Sequence, residues 1–304
     1  MKDSMYRYMK VGLIHFMAYP QVMKGEGPII ETLTKIAEDD YFNAVEVTWM
    51  KDPGVRQAAR KLLNEAHMTV AYGGQPRTLT TGLDINSLDP AVREKTIATL
   101  KEGIDEAYEL GCVGFAFLAG KYPGKDREED ACQALEDSIE QLCAHARSKG
   151  DMPVVLEIFD RDIEKKSLVG PNDTALRIAS NVRKKFDNFG LMVDLSHLPL
   201  LGQTARDALV PVKDYLVHAH IGNAVVKDKS HPAYGDAHPR FGIAGGENDV
   251  AELTEFLRVL FEIGYLNEDA PRIVSFEVKP LAGESSEIVI ANAKRTLNEA
   301  WARL

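Results

Sequence analysis

Eight times along its 304 residues the chain passes from a short β-rich run into a longer helical pattern. The runs are VGLIHF (11–16), NAVEVTW (43–49), MTVAYG (68–73), CVGFAFL (112–118), PVVLEIF (153–159), FGLMVDL (189–195), YLVHAHI (215–221) and RIVSFEV (272–278). Helical patterns occupy 28–40, 52–66, 88–110, 128–149, 171–186, 204–212, 248–263 and 285–302. Strands that alternate with helices pair in parallel, because each crossover helix returns the chain to the same edge. Gly111, Gly150 and Gly264 stand where a left-handed C-cap glycine belongs, and Asp52-Pro53 and Pro171-Asn172-Asp173 read as helix starts. No Pro/Gly/Ser-rich linker divides the chain, and MAYPQVMKGEG follows the first run where a dinucleotide fold would carry G-x-G-x-x-G. The expectation is therefore a single-domain (β/α)8 TIM barrel over residues 1–304, not an open doubly wound sheet.

Composition narrows the partners. Hydrophobic residues make up 45% of the chain, enough for a large core, and no apolar run approaches the roughly 20 residues of a membrane span. The start MKDSMYRYMK lacks the apolar centre of a signal peptide, so a cytoplasmic protein with no membrane partner is expected. Cys112, Cys132 and Cys143 are odd in number and lack C-x-x-C spacing, which points away from disulfides and thiolate zinc. A net charge of -10 argues against a nucleic-acid partner, which needs a basic face.

In such a barrel the C-terminal strand ends carry the chemistry. Glu157, Asp194, His220 and Glu277 fall there on four consecutive strands, each interrupting an apolar run. A lone buried carboxylate is commonly an ion-pair member, but three carboxylates and an imidazole together ask for a cation. The O/N donor set suits a divalent ion, Mn2+ first, with Mg2+, Co2+ and Zn2+ behind it. His218, two residues from His220, faces the same side one layer deeper. Glu46 on strand two stands apart from the quartet as a barrel-floor or substrate-side group, and Lys279 lies close enough to Glu277 to reach in. His197, three residues past Asp194, either points a ring nitrogen into the mouth or caps a helix. His15 on strand one and His67 are weaker candidates, and His145 belongs on a solvated helix face. Tyr19, Trp49 and Tyr122 follow strands and are the aromatic candidates for substrate contact; the phenylalanines within strands read as core. The long Gly/Pro-containing segment up to Gly246 reads as a binding loop or lid, with Asp236, His238 and Arg240 on it.

Glu157, Asp194 with His197 in D-L-S-H, His220 in H-I-G-N and Glu277 in F-E-V together make the chain resemble, over its whole length, the xylose isomerase-like barrel superfamily. That superfamily includes sugar isomerases, ketose 3-epimerases, hydroxypyruvate isomerases and DNA repair enzymes of the endonuclease IV type. The resemblance implies that Glu157, Asp194, His220 and Glu277 bind one divalent metal and that Glu157 and Glu277 exchange the substrate proton. His197 would position or transfer protons beside them. Asp236-Ala237-His238 with Gly242 and Gly245 resembles an endonuclease IV metal motif, but VTWMKD, AYGGQP and FLAGKYP after the early strands lack the partner histidines. Asp236 and His238 are accordingly read as loop-ordering or substrate-contacting, and Arg240 as a contact for a hydroxyl, carboxylate or phosphate. The implied reaction is proton removal beside the carbonyl of a sugar or keto-sugar through a metal-stabilised enediolate, giving isomerisation or epimerisation. A narrower resemblance, to the α subunit of bacterial C-glycoside deglycosidases, implies instead a lyase that eliminates an aglycone from 3-keto glycosides and works with a small β subunit. An endonuclease and a metal-free binding subunit are the remaining readings, and a homo-oligomer is the other expected assembly.

Overall fold

The computed structural model describes residues 3–304. In chain order the elements are β1 (Met9–Ile14), α1 (His15–Ala18), α2 (Ile29–Ala37), β2 (Ala44–Val47), α3 (Pro53–Glu65), β3 (Thr69–Gly73), α4 (Gln75–Leu79) and α5 (Pro90–Leu110). There follow β4 (Phe115–Leu118), α6 (Glu128–Arg147), β5 (Val154–Glu157), α7 (Asn172–Arg183), β6 (Phe189–Asp194), α8 (His197–Leu201) and α9 (Ala205–Leu209). The last are β7 (Leu216–Gly222), α10 (Val250–Glu262), β8 (Arg272–Glu277) and α11 (Ser286–Ala302). The strands form a closed barrel in sequence order, and β1 seals it against β8 in parallel from Met9↔Arg272 to Leu13↔Phe276. This is a (β/α)8 TIM barrel.

Strand alternation sorts the side chains. Val11 and Leu13 of β1, Val45 and Val47 of β2, Leu156 of β5 and Phe276 of β8 join the large core shared with the helices. The opposite parity faces the lumen, where Ala44, Ala71 and Ile273 form one small apolar cluster and Ala116, Val155 and Met192 another. Two residues further along those same strands come Glu46, Glu157, Asp194 and, beyond Ser275, Glu277. Ionisable groups thus concentrate at the upper end of the lumen, with His218 one layer below, level with Met192. The narrowness of the lumen shows at Gly12, where a Cβ would lie 2.3 Å from Ser275 Oγ.

Several local expectations change. His15 and Phe16 leave the first strand for α1, so His15 is a helical residue, buried with its Nε2 2.7 Å from Thr32 Oγ1. Gly111 and Gly264 are left-handed as expected, at φ 76° and 73°, but Gly150 is not; a Cβ there would instead crowd the Tyr108 ring at 3.0 Å. Asp52 caps α3 by accepting from Gly54 N, whereas no side chain caps α7, and Asn172 donates to Asp207 O across to α9. The three cysteines are free and buried, and no described helix is long and apolar enough to cross a membrane.

Candidate active site

Glu157, Asp194 and Glu277 each end their strand, and His220 lies two residues short of the end of β7. One donor atom from each of the four lies within 4.8 Å of the others, and all four residues are buried. Glu157 is held by one oxygen: its Oε2 accepts from Gln75 Nε2 at 2.7 Å, while Oε1 is buried with no hydrogen-bond partner. Asp194 accepts from both the backbone and the hydroxyl of Ser196. Burial raises its pKa, with Glu277 adding to the rise and nearby histidines opposing it. His220 Nδ1 lies 2.8 Å from Glu277 Oε2 and 3.7 Å from Glu157 Oε1. Its other nitrogen, Nε2, is 3.0 Å from Glu46 Oε1, which also takes His218 Nε2 at 2.7 Å. Glu46 therefore does not stand apart from the quartet; it is the clamp on the far side of His220, and His218 sits one layer below as expected.

The electrostatics ask for positive charge at this point. Burial works against a charged His220, but Glu46, Glu157 and Glu277 outweigh it and raise its pKa well above the ordinary value. Burial likewise opposes ionisation of Glu46, yet His218 and His220 hold its pKa well below the usual range. A divalent ion fits the same residues: three carboxylates, one with an unpartnered oxygen, and an imidazole whose remote nitrogen is already engaged by a carboxylate. A carboxylate behind the ring of a metal-binding histidine fixes its tautomer and orientation.

A second cluster adjoins the first. His197, in the first turn of α8, has Nδ1 2.8 Å from Ile158 O and Nε2 3.2 Å from Asp236 Oδ1. His238 Nε2 is 3.0 Å from the same oxygen and 3.4 Å from Glu277 Oε1. Asp194, His197 and His238 also bring donor atoms within 4.8 Å, so Asp194 belongs to both groups. The outer oxygen of Asp236 is taken by Lys165 Nζ at 2.6 Å. Burial disfavours charge on these histidines, but Asp236 together with Asp194, Glu157 and Glu277 outweighs it, lifting His197 to about 10 and His238 to about 9. For Asp236 too burial opposes ionisation; His238, His197 and Lys165 prevail and hold it well below the ordinary range. A protein ammonium thus already faces the Asp-x-His motif that resembles an endonuclease metal site. His238 takes a left-handed backbone, φ 51°, and its carbonyl accepts from Lys279 N at 2.7 Å, which ties the loop to the end of β8.

A cavity opens above these residues, lined by Glu46, Glu157, His220, Asp236, His238 and Glu277. Asp194 and His197 are absent from its lining and stand behind it. Phe16, Met17 and Phe159 form apolar walls, and Gln75, Lys165 and Lys279 add polar ones. Four of the expected substrate contacts lie away from this cavity. Tyr19 is buried beside His15, Trp49 donates its indole N–H to Met23 O, and Arg240 pairs with Glu284. Tyr122 likewise is occupied, donating to Glu128 beneath the Arg161 guanidinium. Gln75 and Lys165 escaped sequence reading. The signal for Lys165 was Asp160, fully buried, whose carboxylate accepts from the backbone of Ile163, Glu164 and Lys165 and so folds that loop inward.

Residues 34–292 match the family described as the xylose isomerase-like TIM barrel. No curated protein matches the chain in sequence. Among solved structures, a D-tagatose 3-epimerase-like protein superposes with a TM-score of 0.74 at 18% identity, covering 97% of this chain and 99% of its own. D-psicose 3-epimerase from Clostridium cellulolyticum H10 gives 0.68 at 15% identity, with 97% and 99% covered. The 3-keto-D-glucoside 4-epimerase from E. coli gives 0.63 at 18% identity, again with 97% and 99% covered.

Proposed function

Given that the chain belongs to the xylose isomerase-like TIM barrel family, we propose that it is a divalent-metal-dependent enzyme that removes and returns a proton beside the carbonyl of a sugar, as an isomerase or epimerase. The observation that carries this reading is the convergence of Glu157, Asp194, His220 and Glu277 within 4.8 Å beneath a cavity that Glu157, His220 and Glu277 line. The sugar 3-epimerases and the 3-keto-D-glucoside 4-epimerase among its structural relatives support the substrate class. The quartet would hold the cation, with Mn2+ the first choice for such a donor set; when bound, it stabilises negative charge that develops on substrate oxygens.

The proton chemistry falls to the two glutamates that line the cavity. Gln75 fixes Glu157 through one oxygen and leaves the other free to accept a proton. Glu277 is fixed by His220 through Oε2, and its Oε1 faces His238. Carboxylates on β5 and β8 approach a bound carbon skeleton from different sides of the ring of strands. A proton taken by one and returned by the other to the opposite face inverts a carbon; returned to the neighbouring carbon, it moves the carbonyl. The cationic side formed by His238 and Lys165, with His197 behind them, holds substrate oxygens, while Phe16 and Phe159 keep water from the exposed carbanion face.

Glu157→Gln and Glu277→Gln should each lower deuterium exchange from solvent into a ketose substrate by about 10²–10⁴-fold, the usual contribution of a positioned acid or base. Exchange would be followed by mass spectrometry, alongside elemental analysis for Mn, Co, Zn and Mg. Wild-type exchange in both variants would overturn the assignment, and protein that purifies and exchanges without any of these metals would overturn the metal. Release of an aglycone from a 3-keto glycoside, dependent on a co-purifying small subunit, would assign elimination instead.

A further inference from the structure

The cavity over the quartet does not end at its own wall. It shares Leu79 and Lys165 with a second cleft that lies beyond α4 and over the end of β4. Ile85, Leu118 and Ala119 make a buried apolar floor for the second cleft. Leu79, between the two, is 49% exposed, an unusual position for a large apolar side chain in a fold whose other leucines are mostly covered. A leucine left in water at the mouth of a pocket gains hydrophobic stabilisation when a ligand covers it.

The polar groups of the second cleft are committed elsewhere. Asp84 accepts backbone N–H groups on both oxygens, from Asn86 and from Lys121. Lys121 Nζ donates to Lys165 O, and Lys165 Nζ donates to Asp236. Among the described residues that line the cleft no cation is left over for a phosphate, and the Asp84 carboxylate would repel one. The floor therefore suits an uncharged ring with an apolar face. The two clefts are also joined mechanically: Gln75, which holds Glu157, and Leu79 lie four residues apart on α4 and so share one helix face.

We infer that the substrate has two parts: a sugar over the quartet, joined to a second uncharged ring, glycosyl or aryl, seated against Leu79, Leu83 and Ala119. This rests on the sugar chemistry proposed above. The test compares affinities by calorimetry, in the metal-loaded protein, for methyl, phenyl and glucosyl β-glycosides of glucose, galactose and mannose. The phenyl or the glucosyl member of at least one series should bind ten-fold or more tighter than its methyl counterpart; which of them does so identifies the second ring as aryl or glycosyl. Leu83→Trp, which fills the cleft from a half-buried position, and Leu79→Asp, which replaces the exposed wall, should each bring that ratio near one. Thermal melting checks that both variants fold. No preference in any series, or a preference that survives both substitutions, overturns the second subsite. Solvent deuterium exchange into the 3-keto forms of the same glycosides and into free ketoses separates the two claims. Exchange without a ring preference leaves the proton chemistry standing alone, and a ring preference without exchange into any compound leaves the subsite standing alone.

Discussion

Which nitrogen of His220 meets the carboxylates is decided by Glu46, not by the quartet itself. With Nε2 engaged 3.0 Å from Glu46, Nδ1 is the atom presented to Glu157 and Glu277. Glu46→Gln keeps the shape and removes the charge, and should weaken divalent-metal affinity by about 10–100-fold, as loss of a supporting partner does elsewhere. Competition with a chelator measures this; unchanged affinity would reduce Glu46 to a packing role. Sequence could supply the four donors, because an ionisable residue at the end of an apolar strand is conspicuous and four in a row are hard to explain otherwise. It could not supply Glu46's true position, since alternation fixes the face of a strand but not the distance across the lumen to His218 and His220. Nor could it supply Gln75 or Lys165, whose partners Glu157 and Asp236 are 82 and 71 residues away.

Secondary elements were legible where they were long. The eight strands and the long helices follow from periodicity, whereas α1, α4 and α8 have 4 or 5 residues, too few for a pattern to repeat. Those short helices begin one, two and three residues after the ends of β1, β3 and β6, and they deliver Phe16, Gln75 and His197 to the site. Phe16 and Phe159 explain why the first and fifth strands were expected to run too far: they are apolar, but they line the cavity beyond the last strand residue. The loop after β5 is organised by Asp160 and can be tested as a unit. Asp160→Ala removes a buried acceptor from three backbone N–H groups. Charge-assisted hydrogen bonds contribute about 1.5–3 kcal/mol each but not additively. Hydrogen exchange at the amides of 163–165 should accelerate by roughly ten-fold or more while β-strand amides stay protected, the signature of local opening. Equal protection in the variant would show that Asp160 does not hold the loop.

Stability of the entire barrel should carry the imprint of His15. Burial lowers its pKa from 6.5 to about 3, so the folded protein keeps it neutral while the unfolded chain takes up a proton near 6.5. Its contribution is complete above pH 6.5 and is lost as pH falls from there towards 3. Between pH 7 and 5 the loss is about 2 kcal/mol, at about 1.36 kcal/mol per pH unit. Urea denaturation should show this decline in the wild type and a flatter profile in His15→Phe, the difference cancelling the opposite tendency of His197 and His238; parallel profiles would contradict the assignment. The barrel itself was the most readable property of the chain, because it depends on the repeat of units and not on any one contact. Its seam has a further consequence for how the protein comes into being on the ribosome. All four quartet residues lie in the second half of the chain, and the last of them, Glu277, sits on the strand that seals against β1. Until translation passes that strand, the nascent chain has neither a closed ring nor a full set of donors, so the centre cannot mature before β8 has been made.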